Sequence, residues 1–292
     1  MRKEFYALLK KKYKEDSRVA ILLGDIGVFS FNELFKENSG RIINCGIMEQ
    51  SMVSIASGMS KGGYIPFVHS IAPFVTERCA EQIKLALAYE RSNTFVVSVG
   101  NSYDYASLGC THHCPADLSI LGSIPEIKTF APGNARDVER IVQQNIELQV
   151  PKYIRLSEVQ NDFSDKFDNY EDGCLLTQGI EWFVVVIGNS IKKAAALTDS
   201  GYTCYYSYSV SHFDIPKFKK AFQESGCRKI CVVEPSYQTD LLAKIAISTD
   251  NIEKIRSICI QKEFIDKYGT RSDIDSYLGL DDASIFQKIK NL

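Results

Sequence analysis

The sequence predicts an α/β fold of two domains, each a mainly parallel sheet flanked by helices. Strand-type and helix-type apolar patterns alternate along the chain, which makes the helices crossovers between parallel strands. The run Thr94-Phe95-Val96-Val97-Ser98-Val99 is nearly continuous in apolar residues, as a strand buried on both faces requires. With 292 residues, 45% hydrophobic and 24% charged, the chain is long enough for two cores. Residues 1–160 form the first domain, 161–178 a linker and 179–292 the second domain.

The elements follow in order. A helix over 5–14 carries Phe5, Leu8, Leu9 and Tyr13 on one face, and a strand occupies 19–23. A short strand at 41–44 leads to a helix on which Met52, Val53, Ile55, Ala56 and Met59 recur at helical spacing. A strand at 65–68, a long helix over 74–89 and the strand at 94–99 come next. A glycine-punctuated loop spans 100–115. A strand at 127–130, the turn Pro132-Gly133-Asn134, a helix over 135–149 and a strand at 152–155 complete the first domain. The acidic stretch 158–177 has little periodicity and reads as linker. Strands at 182–187, 203–207, 229–233 and 257–259 then alternate with helices at 191–200, 215–224 and 239–247.

Composition removes several function classes. A net charge of -2 offers no surface for nucleic acid or membrane. No apolar run is long enough to span a bilayer, and the N-terminus reads as an amphipathic helix and not a signal peptide. Nine irregularly spaced cysteines argue against a disulfide framework and for a reducing cytoplasm. Cys110-Thr111-His112-His113-Cys114 is the one metal-like cluster, but it lacks a second pair at structural-zinc spacing, so no metal site is expected in this chain. Neither usual phosphate loop is present, and Gly24-Asp25-Ile26-Gly27 has the wrong glycine spacing for a dinucleotide.

Glu49 is the residue that points to chemistry. It falls in the first turn of a helix at the carboxyl end of a strand, where open α/β sheets bind ligands. Alone, a carboxylate there need only complement the helix dipole. Its neighbours say more. Gly46-Ile47-Met48-Glu49-Gln50, Gly62-Gly63-Tyr64-Ile65-Pro66-Phe67, Arg78-Cys79-Ala80-Glu81-Gln82-Ile83 and Thr111-His112-His113 occur in the order and spacing of the transketolase pyrimidine-binding domain. The segment 151–156 resembles the end of that domain. Residues 182–292 are similar to the transketolase C-terminal domain, including Asp266-Lys267-Tyr268-Gly269.

The resemblance implies a thiamine-diphosphate enzyme that moves a two-carbon ketol unit from a ketose to an aldehyde acceptor. Glu49 matches the glutamate that hydrogen-bonds a ring nitrogen of the cofactor and promotes the tautomer that removes the thiazolium C2 proton. Phe74 matches the aromatic residue that stacks on the aminopyrimidine, and Ile71 replaces a second aromatic with plain apolar contact. Asp25 matches an aspartate near the thiazolium side. His112 matches a catalytic histidine of the substrate channel, with His113, His69 and Arg155 as further channel residues.

The departures from the family pattern are equally specific. No Gly-Asp-Gly followed by Asn occurs, so diphosphate and Mg²⁺ are expected on a separate partner chain carrying the N-terminal diphosphate-binding domain. The expected assembly is α2β2, self-associated through this chain and located in the cytoplasm. Gly100 stands where transketolases place a histidine, Leu108 where many have an aspartate, and Glu158 where an arginine commonly grips the sugar phosphate. A glutamate there repels a phosphate, which points to an unphosphorylated or nucleotide-linked acceptor. Proteins resembling 1-deoxyxylulose-5-phosphate synthase or the beta chains of 2-oxoacid dehydrogenases share the plan and are the rival enzymes. A non-catalytic scaffold or regulatory subunit is the rival of another class.

Overall fold

A computed structural model describes residues 1–158, 170–191 and 201–291 of the chain. Six strands form the first sheet: β1 (Val19–Leu23), β2 (Ile42–Asn44), β3 (Ile65–Ile71), β4 (Phe95–Val99), β5 (Lys128–Phe130) and β6 (Lys152–Arg155). Their spatial order is β2-β1-β3-β4-β6-β5, and every pairing is parallel. The second sheet contains β7 (Cys174–Thr177), β8 (Phe183–Ile187), β9 (Thr203–Ser207), β10 (Lys229–Tyr237) and β11 (Lys254–Ile260), ordered β11-β10-β8-β9-β7. Only β7 runs antiparallel, along β9.

Both faces of the first sheet are covered, which is why its strands are so apolar. Helix α1 (Arg2–Glu15) lays Phe5, Leu9 and Tyr13 against Val19, Ile21 and Leu23. After the short α2 (Asn32–Lys36), α3 (Glu49–Lys61) sets Met52, Val53 and Ala56 against Leu22 and Val68 on the other face. That second core continues through Leu118, Leu121 and Tyr153 into Phe183, Val210 and Val232 of the second domain. Each such side chain contributes about 1.5–3 kcal/mol by leaving water.

Three readings of the sequence need correction. The helix expected over 74–89 is broken into α4 (Ala72–Val75), a turn, α5 (Ala80–Gln82) and a π-helical turn, Ile83–Tyr89. At the end of α4 the Thr76 N–H and hydroxyl both donate to the Ala72 carbonyl, at 2.9 and 2.7 Å, and the chain turns from there. Residues 174–177, read as linker, form the edge strand β7, whose half-buried side chains give no clear alternation. Two C-terminal helices went unread, Arg271–Tyr277 and Asp282–Lys290; the first starts on a Thr270–Asp273 capping box and the second on an Asp281 cap. The helix expected over 191–200 lies, except for its first residue, outside the described residues. The remaining described elements on the way to the site are α6 (Asp117–Gly122) and α7 (Ala135–Asn145).

Helix α7 carries a buried carboxyl at the junction of the domains. Asp137 accepts from the Tyr206 hydroxyl of β9 at 2.5 Å and from the Gly133 N–H at 2.8 Å. Burial pushes its pKa up from 3.8 to about 6, against the pull of those donors. A raised folded-state pKa gives stability that is present below the unfolded value and lost as pH rises through the folded one. Between pH 3.8 and about 6, wild type should therefore lose on the order of 2–3 kcal/mol relative to Asp137→Asn. Urea unfolding of both proteins across that window checks this; a constant difference would show that the buried carboxyl does not titrate there.

Candidate active site

The strand order of the first sheet creates the site. The chain leaves β1 for β2 on one side and returns to β3 on the other, so β1 and β3 flank a topological switch point, whose crevice lies beyond the carboxyl ends of the strands. Gly24 follows β1 there, and Ser70 lies near the end of β3. A Cβ at Gly24 would stand 2.8 Å from Ser70 Oγ, so glycine keeps this gap open. Gly46, with φ 67°, turns the chain from β2 towards α3, and Glu49 arrives in the first turn of that helix.

Glu49 is only 2% exposed and both carboxylate oxygens have partners. Ser70 Oγ donates to Oε1 and Arg78 Nη1 to Oε2, each at 2.9 Å. Such charge-assisted donors are what make a buried carboxylate tolerable. The Arg78 guanidinium also lies over the Phe74 ring, 4.5 Å from its centroid. Arg78 stands in the turn at 76–79, four residues after Phe74. His112 meets Phe74 edge-on at 5.3 Å, and Tyr105 lies 6.4 Å beyond His112. Half-buried Ile71 ends β3 beside Ser70.

Asp25 stands at the rim, exposed and with φ 57°. Its N–H donates to Asn44 Oδ1 at 3.1 Å, and Asn44 Nδ2 donates back to its carboxylate at 3.0 Å. The structure thus gathers Glu49, Phe74 and His112, with Ile71 and Asp25 at the edge.

The other three channel residues go elsewhere. His69 is fully buried beneath α1. Its Nδ1 bonds the Val97 carbonyl at 2.8 Å, which can only accept, so Nε2 accepts from the Tyr6 hydroxyl at 2.9 Å. Burial lowers its pKa to about 4, leaving a neutral core histidine. The side chains of a strand alternate, and His69 and Ser70 therefore face opposite sides of the sheet. His113 is also buried, edge-on to Tyr103 at 4.9 Å, and burial lowers its pKa. Arg155 is buried in an ion pair with Asp117 at 2.7 Å and donates to the Pro235 carbonyl at 3.3 Å. It joins the two domains and does not line the crevice.

Sequence reasoning assigned no role to Ser70, Arg78 or Tyr105. Arg78 was findable, because it stands four residues after Phe74. Ser70 and Tyr105 carried no local signal.

Residues 1–161 match the model of the transketolase pyrimidine binding domain. The chain belongs to the transketolase family. An apulose-4-phosphate transketolase subunit of Phocaeicola vulgatus is 26% identical over 97% of this chain and 94% of its own length. A protein described as an uncharacterized 33.6 kDa protein in the fasciation locus of Rhodococcoides fascians is 28% identical over 94% of this chain and 89% of its own. Among solved structures, a split gene transketolase in an inactive beta4 tetramer superposes with TM-score 0.80 at 20% identity, covering 99% of this chain and 96% of that one. The transketolase of Campylobacter jejuni gives 0.78 at 19% identity, and this chain spans 46% of it. These two likenesses describe the fold.

Transketolase chemistry depends on thiamine diphosphate, and the side chains present suit one end of it. A buried carboxylate, an aromatic face and an apolar strand end match the needs of an aminopyrimidine ring, which has a ring nitrogen and two flat faces. Among the described residues no group of three His, Cys, Asp or Glu could hold a metal ion. No helix among them is long and apolar enough to cross a membrane.

Proposed function

We propose that this chain is one half of a split transketolase, moving a two-carbon ketol unit from a ketose donor to an aldose acceptor. The observation that carries the reading is Glu49, a buried carboxylate at the switch point beside Phe74. The alignment with the Phocaeicola vulgatus transketolase subunit over nearly the full length supports it. Thiamine diphosphate, when bound, supplies the carbon nucleophile that takes up the two-carbon unit. Glu49 holds a proton against the pyrimidine nitrogen, and Ser70 fixes the direction of its carboxyl group. Phe74 would offer a flat apolar face to that ring, the face over which the Arg78 guanidinium lies at 4.5 Å. His112, edge-on to Phe74, hydrogen-bonds sugar hydroxyls. Asp25 would border the thiazolium side of the cofactor and Ile71 would close the pocket with apolar contact.

A partner chain carrying Gly-Asp-Gly followed by Asn holds the diphosphate and Mg²⁺, and two copies of each chain form an α2β2 enzyme in the cytoplasm. Titration calorimetry with thiamine diphosphate and Mg²⁺ tests the division of labour. The co-purified pair should bind the cofactor and this chain alone should not. Equal binding by the lone chain, or none by the pair, would defeat the split reading.

A further inference from the structure

We propose that Tyr105 is a specificity-determining residue of this site, and that with Arg2 and Glu158 it selects an acceptor whose far end is an uncharged polyol and not a phosphate ester. The inference rests on the transferase reading above and names the substrate class for it.

The first observation is the seat of the ring. Gly100 follows β4 with φ 76°, and a Cβ there would lie 2.2 Å from the Tyr105 ring. A side chain at position 100 would be strained and would collide, so the ring occupies space that only glycine leaves. Tyr105 consequently lies against the line that runs from Glu49 through Phe74 and His112, on its outer end.

The second observation is the charge at that end. The Tyr105 hydroxyl accepts from Arg2 Nη1 at 3.4 Å, and the same nitrogen faces Glu158 Oε1 at 3.4 Å. The cation nearest the hydroxyl is already opposed by a carboxylate. A phosphate entering here would compete with Glu158 for Arg2 and be repelled by it. Arg271 offers no relief, since its guanidinium is held by Asp104 at 2.7 Å and Asp275 at 2.9 Å. A sugar hydroxyl meets no such conflict, because it can donate to Glu158 and accept from Arg2 or Tyr105. Burial keeps the Tyr105 phenol protonated, with its pKa raised to about 12.

Arg2 and Glu158 have side chains 47% and 41% exposed, so substituting them does not threaten the core. The test uses the two-chain holoenzyme with D-ribose and D-ribose 5-phosphate as matched acceptors. Donor consumption without acceptor is followed separately and reports the proposed transferase function, independently of acceptor choice. Wild type should show the higher kcat/KM with D-ribose. Glu158→Arg should shift the ratio towards the ester by about tenfold or more, because a repulsive charge becomes an attractive one. Tyr105→Ala should shift it in the same direction by opening the outer end, and Gly100→Ala should reproduce that effect by displacing the ring. Preference of wild type for the ester would overturn the proposal. So would a ratio that neither Glu158→Arg nor Tyr105→Ala moves while donor consumption continues.

Discussion

Glu49→Gln should lower holoenzyme turnover by about 10²–10⁴-fold, the span of a lost general acid–base group. Glutamine fills the same volume and keeps an oxygen to accept from Ser70 Oγ, now at 2.9 Å from Oε1. It cannot share a proton as a carboxyl group does. It also leaves Arg78 facing a neutral amide in place of the carboxylate it meets at 2.9 Å. Thermal unfolding should change little, because the half-exposed Arg78 can turn to water. Proton exchange at the thiazolium C2 position, followed by NMR, should slow in parallel with turnover. Retention of both rates would remove Glu49 from the chemistry and leave it the dipole partner that its helix position alone suggests.

Arg155→Ala should destabilise the protein by about 3–5 kcal/mol, the usual result of breaking a buried ion pair by removing one partner. Asp117 would be left fully buried, its charge facing the Tyr153 hydroxyl at 2.6 Å and no longer a cation. The Ser102 hydroxyl and the Pro235 carbonyl would lose a charged donor as well, loosening the 100–115 loop from β10. Urea denaturation measures the loss. Substituting both partners by apolar residues, Arg155→Met with Asp117→Leu, should recover much of it, since no buried charge is then left unpaired. If Arg155 instead gripped a sugar phosphate, Arg155→Ala would raise KM for phosphorylated acceptors and leave the unfolding midpoint unchanged.

These two residues show how unevenly the sequence revealed the molecule. Strands β1, β6 and β9 begin and end where the sequence reading put them, although of the three β1 alone is apolar throughout and β6 carries Lys152 and Arg155 at its ends. Glu49 was legible from motif and position together, and Phe74 and His112 followed from the same motifs. Arg155 and His69 look equally polar in the sequence, yet both are core residues with partners far along the chain: Asp117 and Pro235 for one, Tyr6 and Val97 for the other. A polar residue in a strand does not announce whether its partner is a substrate or another part of the fold.

The break of the helix at Thr76 was hidden for a related reason. Helical spacing of apolar residues continues through it, while the turn is held by backbone bonds that no side-chain pattern marks, such as the Arg78 N–H to the Pro73 carbonyl at 3.1 Å. Arg78, in the turn that follows, lies over Phe74 and against Glu49. The seat of Tyr105 depends likewise on Gly100, five residues earlier, whose missing side chain has meaning only once the loop has folded back.

The sequence by itself determined the class of the fold, the family and the carboxylate at its centre, because periodicity and local motifs are properties of neighbours along the chain. Only the tertiary structure decided which polar residues face the crevice and which hold the domains together. Those contacts join residues as far as 167 positions apart, as Asp104 and Arg271 are. Their geometry is set by packing of the whole sheet and its helices, which no local pattern encodes.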